Sequence, residues 1–178
     1  MRVKTFLLLT VLCLACAANA AAQTNQSQYT TLTKCKTLKS TSAEGGSYVG
    51  ICPGIAGYKL QLEEGDLRQN IQVITPGGQK HSLELWNVIA SGFSTVGPQA
   101  EWRVQKKGGK LMPVALIVRF NASNPENPSK NTSYLSVSKI TPEKICVTNS
   151  VPPGAKANVA ARQAADNAAN QPCLEPNQ

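Results

Sequence analysis

Apolar and polar residues alternate most regularly from Ala100 to Gln105, where Trp102 and Val104 share one face and Glu101 points the other way. Lys106-Lys107-Gly108-Gly109-Lys110 then supplies a turn, and Leu111 to Phe120 returns as an almost unbroken apolar run. Period-two alternation marks a half-buried strand, and a short continuous apolar run marks a strand covered on both faces. The pattern predicts a β-hairpin at the centre of the fold. Shorter segments of strand character surround it: Thr30 to Leu38, Tyr48 to Cys52, Tyr58 to Leu62, Leu67 to Thr75, Tyr134 to Ile140 and Ile145 to Val147. Lys39 to Ser47, with Gly45-Gly46, reads as a turn that brings Tyr48 to Cys52 back alongside the first of them.

Turn chemistry separates the other segments. Pro53-Gly54, Pro76-Gly77-Gly78 and Pro152-Pro153-Gly154 break regular structure, and Glu63-Glu64-Gly65-Asp66 reads as an acidic turn. From His81 to Phe93 a short strand followed by a helical turn is expected. Asn121 to Ser133 holds Asn, Ser, Pro and Lys with almost no apolar residue, and predicts an exposed loop. Beyond Gly154, Ala157, Ala160, Ala161, Ala164, Ala165 and Ala168 recur at helical spacing. They predict a helix over about 156–169 whose narrow alanine face can lie close to a sheet. The fold class is therefore α+β, mainly antiparallel sheet with a C-terminal helix.

The two ends of the chain change the picture. Arg2 and Lys4 precede an apolar block from Phe6 to Leu14, and Ala18-Asn19-Ala20 ends in a small-x-small cleavage pattern, so residues 1–20 read as an export signal. The block falls short of the roughly 20 apolar residues that span a bilayer. A lipid anchor on Cys16 would need an aliphatic residue three positions earlier, where Cys13 stands. Residues 21–29 are polar and read as a flexible lead, leaving 30–178 as one β-rich domain.

Cys13 and Cys16 leave with the signal, and Cys35, Cys52, Cys146 and Cys173 remain. An even count in an exported chain implies disulfides. Of the three pairings, the local ones are expected, Cys35 with Cys52 and Cys146 with Cys173. Each closes a moderate loop and contributes ~3 kcal/mol by loop entropy. With the second bond, the helix becomes disulfide-stapled to the body. Zinc is disfavoured, because no pair has Cys-x-x-Cys spacing.

Charge narrows the partners. Without Arg2 and Lys4, sixteen Lys and Arg face ten Asp and Glu, and 16 − 10 gives a net charge of +6. The positive residues are spread along the chain and stacking aromatics are few, which argues against nucleic acid. An anionic envelope polymer or a protein partner fits better, with Lys106, Lys107 and Lys110, together with the Asn121 to Ser133 loop, as the candidate binding surface.

Catalytic residues are scarce. His81 is the one histidine, no Gly-x-Ser-x-Gly elbow occurs, and every mature cysteine is expected to be oxidised. Glu63, Glu64, Asp66 and Glu101 could serve a glycosidase only as a pair at ~5 to 9.5 Å. Asn121, Asn124, Glu126 and Asn127 offer one carboxylate, a weak calcium set. No cofactor or metal is expected. A non-catalytic binding module is the primary expectation. A hydrolase of envelope polymers using Glu101 or His81 is the alternative.

Several phrases occur together: Ile51-Cys52-Pro53-Gly54 with Gly57-Tyr58, Ala100 to Val104, Thr132-Ser133-Tyr134-Leu135, and Lys139-Ile140-Thr141-Pro142 before Ile145-Cys146-Val147. In these the chain resembles a group of uncharacterised small exported bacterial proteins. The resemblance implies a bacterial source and an envelope or extracellular place, and brings no activity.

Overall fold

The computed structural model describes residues 25–42, 45–124 and 126–176. The expected signal segment and residues 21–24 of the expected lead lie outside them. Among the described residues there are ten strands, β1 (Gln26–Thr31), β2 (Lys36–Thr41), β3 (Ser47–Cys52), β4 (Lys59–Gly65), β5 (Arg68–Ile74), β6 (Lys80–Ser82), β7 (Ser94–Lys107), β8 (Lys110–Asn124), β9 (Asn127–Ile140) and β10 (Ile145–Val151). Helix α1 (Leu85–Val88) is a single turn, and α2 (Ala157–Asp166) is followed by a 3-10 turn at Ala168–Asn170.

Eight strands run in the order β10-β9-β8-β7-β5-β4-β3-β2, with β1 added to β7 and β6 to β5. Neighbours are antiparallel, apart from β5 and β7, which meet in parallel at the Arg68 and Ser94 pair. The rest of that β7 edge is taken by β1, registered from Gln26 opposite Val104 to Thr31 opposite Gln99. The central hairpin closes through Gly108 and Gly109 at φ 56° and 79°. A two-residue turn with both φ positive matches the twist of its strands, and glycine takes that conformation without steric cost.

Strand period divides the core in two. Leu116, Val118, Phe120 and Ala122 of β8 face one way and join Trp102, Leu60, Ile71 and Val73 in the main core. Ala115 and Ile117 face the other way, and with Leu135 and Val137 of β9 they pack under Ala161, Ala165 and Ala168. Thus β8 is covered on both faces from Ala115 to Val118, whereas Met112 is exposed and Arg119 is half-buried, so the apolar run overstates the covered length. Two disulfides close the ends: Cys35 with Cys52 across the β1–β2 connection and β3, and Cys146 of β10 with Cys173 beyond the helix. Leu174 also donates its N–H to the Val147 carbonyl.

Four expectations are corrected. Residues 26–29 of the supposed flexible lead form most of β1, because the open edge of β7 offers a ladder and Arg103 and Glu101 both engage the Ser27 hydroxyl. The stretch from Thr30 to Leu38 is two strands that break at residues 32–35, where Leu32 turns into the core. Glu63 and Glu64 continue β4, and the turn falls one step later on Asp66 and Leu67, both at positive φ. Asn121 to Ser133 is mainly the tip of the β8–β9 hairpin, with Asn121 opposite Ser133 and Ser123 opposite Asn131. Backbone pairing holds that hairpin, so its polar composition did not disclose it.

Candidate functional site

The face of β7 opposite Trp102 carries Glu101 and Arg103, and α2 lies over it. Arg103, only 7% exposed, donates from Nε to Asp166 Oδ1 at 2.8 Å and from Nη2 to Oδ2 at 2.9 Å. Its remaining donors reach Ser27 Oγ and the Asn25 carbonyl, and Asn25 Nδ2 donates to the same aspartate. One step along, Arg162 of α2 donates from Nε to Glu101 Oε1 at 2.7 Å and from Nη2 to both Glu101 Oε2 at 3.3 Å and Tyr29 Oη at 3.0 Å. The Ser27 hydroxyl donates to Glu101 Oε1. Two forked arginine–carboxylate pairs therefore tie helix to sheet, and Ser27 of β1 bridges them. Such bidentate pairs are strong and directional.

Both carboxylates are held ionised. Burial would raise Glu101, but the hydrogen bonds from Arg162 and Ser27 and the Arg162 charge outweigh it and hold its pKa below the ordinary range. Asp166 behaves alike: burial raises it, and Arg103 and Asn25 bring it down further. Arg162 is raised, chiefly by its bond to Glu101. A carboxylate kept ionised and occupied on both oxygens is a poor general acid.

Beside this network a cleft of about 280 Å³ opens where α2 meets the sheet, lined by Tyr29, Gln99, Glu101, Arg119, Asn158 and Arg162 among others. Arg119 is half-buried on β8 and donates from Nη1 to Ser133 Oγ at 2.9 Å. Among the described residues it has no carboxylate partner. Gly97 lets it lie flat: a Cβ there would stand 2.7 Å from the Arg119 Cβ. Among the described residues, two guanidiniums and one carboxylate line the cleft, leaving one positive charge in excess. It can accept a carboxylate or phosphate, with Tyr29 and Asn158 as further polar contacts.

The expected site residues are scattered. Lys106, Lys107 and Lys110 are exposed at the turn between β7 and β8. The Asn121 to Ser133 tip lies at the opposite end of β8, so the two do not form one surface. Arg119 is nine residues from Lys110, about 30 Å of strand path. His81 is registered with core-facing Val73, whereas Glu101 looks toward α2, so they do not share a site. Asn124 and Asn127 spend their side-chain oxygens on the Glu126 N–H and the Ser129 hydroxyl. Among the described residues no three His, Cys, Asp or Glu gather as a metal site.

Arg119 and Arg162 were not singled out from sequence. A lone arginine in an apolar run, Val118-Arg119-Phe120, is the signal that could have marked the first. No family, curated protein or solved structure matches the chain.

Two disulfides suit an oxidising, extracytoplasmic compartment. Among the described residues no helix is long and apolar enough to cross a membrane.

Proposed function

We propose that this is an exported, non-catalytic binding module that holds an anionic polymer of the cell envelope in the cleft between α2 and the sheet. Arg119 carries the proposal: a half-buried guanidinium fixed by Ser133 and Gly97, without a carboxylate partner among the described residues, beside the half-exposed Arg162. A half-buried guanidinium without a carboxylate partner can pair with an incoming anion through charge-assisted hydrogen bonds, with its geometry already set. The export signal read in residues 1–20 and the resemblance to exported bacterial proteins support a periplasmic or secreted place. Against a hydrolase stands the occupation of Glu101 by Arg162 and Ser27.

The test is co-sedimentation of the oxidised mature protein with isolated envelope material across a salt series. Retention is expected at low salt and falls steeply as salt rises. Arg119→Gln weakens it about tenfold, the worth of one charge-assisted hydrogen bond, while replacing Lys106, Lys107 and Lys110 by Gln has the smaller effect. No retention at any salt overturns the polymer, and equal loss in both variants overturns the cleft as its seat.

A further inference from the structure

The face that α2 covers continues beyond the helix, and there its chemistry changes. Successive same-face positions of β8 are Ala115, Ile117, Arg119, Asn121 and Ser123, each about 7 Å from the last. The first two are under α2, the third lines the cleft, and the last two meet Ser133 and Asn131 on β9. Thr95 of β7 lies opposite Asn121. From Arg119 outward the sheet thus presents amides and hydroxyls in place of aliphatic side chains.

A second cavity, of about 310 Å³, occupies this strip, with Glu64, Leu67, Phe93 and Ser94 also in its wall. Glu64 and Phe93 are positioned. Gln69 donates to Glu64 Oε2 at 2.6 Å while its own Oε1 accepts the Val96 N–H at 2.8 Å. Ser123 donates its N–H to the Phe93 carbonyl at 2.8 Å, an approach that Gly92 permits, since a Cβ there would overlap the Ser123 carbonyl. Arg68 lies over the Phe93 ring, 5.5 Å from its centroid, yet the ring remains 48% exposed.

Asparagine amides donate and accept, a carboxylate accepts, and an aromatic ring offers an apolar face. That set matches a molecule dense in hydroxyls whose rings have apolar faces. A polyphosphate or similar bare polyanion would meet the Glu64 carboxylate with no lysine or arginine among the described residues that line the cavity. We propose that the ligand is a carboxylate-bearing polysaccharide, its carboxylate at Arg119 and its adjoining sugar rings laid over Asn121, Thr95, Ser123 and Asn131 against Phe93. The carboxylate anchor rests on the function proposed above; the sugar strip stands on the second cavity.

The experiment is calorimetric titration of the oxidised mature protein with three probes. These are a panel of carboxylate-bearing oligosaccharides of increasing length, their methyl esters, and polyacrylate as charge without sugar. Expected is binding to at least one acidic oligosaccharide that tightens with length and exceeds polyacrylate. Phe93→Ala or Asn121→Ala should weaken the longer oligomers about tenfold and leave the shortest unchanged, while Arg119→Gln weakens all lengths. Circular dichroism shows that each variant is folded. Polyacrylate bound as tightly, with no effect of Phe93→Ala, overturns the carbohydrate and leaves the anionic cleft standing. Esters bound as tightly as acids, with loss in Phe93→Ala, keep the sugar strip and overturn the anionic anchor. Binding of none of the three overturns both.

Discussion

Glu101 stands where strand alternation turns it away from Trp102, a position that in sequence suits solvent, a cross-strand lysine or a catalytic carboxyl. Its partner is Arg162, sixty-one residues later on α2, and no local pattern encodes that pairing. Arg103 is the same case: alternation places it on the outer face, but the helix buries it against Asp166. These two carboxylates give the molecule an acid limit. Each has a folded-state pKa below its unfolded value, so their stabilisation is complete above the ordinary carboxylate range and is lost as pH falls below about 4. Urea unfolding between pH 7 and pH 3 should show this loss, with a shallower decline in the Glu101→Gln, Asp166→Asn double variant. Parallel acid limbs would remove the pairs as its source. Arg103→Ala at pH 7 should cost about 2 kcal/mol, below the range for a fully buried pair because Asp166 can regain water.

Elements were legible in proportion to how much of their order comes from burial. Strand β8 shows its burial in an apolar run, although both faces are covered only from Ala115 to Val118, and α2 shows its buried face in the alanine spacing. The β8–β9 tip and β1 are held by backbone ladders with polar side chains, so neither has apolar alternation to read. The cleft was hidden for a related reason: it lies between α2 and β8, elements distant in sequence, and its key cation looked like a stray charge in a core strand. Helix α2 depends on small contacts, because alanine buries little apolar area. Its far end is instead secured by Cys146–Cys173, which closes a separation of 27 residues, and by Lys139 Nζ donating to the Gln171 carbonyl at 2.7 Å. Replacing both cysteines by serine should cost about 3 kcal/mol on the loop-entropy estimate. Hydrogen exchange should quicken in α2 and much less in β7 and β8, since the sheet keeps its main core. Uniform quickening would mean that helix and sheet open together.

At the scale of the molecule, β5 and β7 share a brief parallel contact, and the strands on either side form two antiparallel groups, β2 to β6 and β7 to β10. What joins them is the main core and the N-terminal segment. Leu60, Ile71 and Val73 from one group pack with Trp102, Leu116 and Phe120 from the other. Strand β1 lies along β7, accepts the Trp102 indole N–H on Thr30 Oγ1 at 2.9 Å, and continues through Leu32 to the disulfide with β3. Neither group can expose its inner face without stripping the other, so residues 26–176, β1 included, are expected to unfold as one cooperative unit. The chain has two tryptophans, and Trp86 is partly exposed on α1 whereas Trp102 is fully buried. In a Trp86→Phe background, fluorescence therefore reports the β7 side of the core, while far-ultraviolet circular dichroism reports all strands. Coincident midpoints in guanidinium are the expected result. A fluorescence midpoint displaced from the dichroism midpoint would divide the chain into two folding units, and the cleft and sugar strip would then have to be sought within the β7 to β10 group and α2 alone.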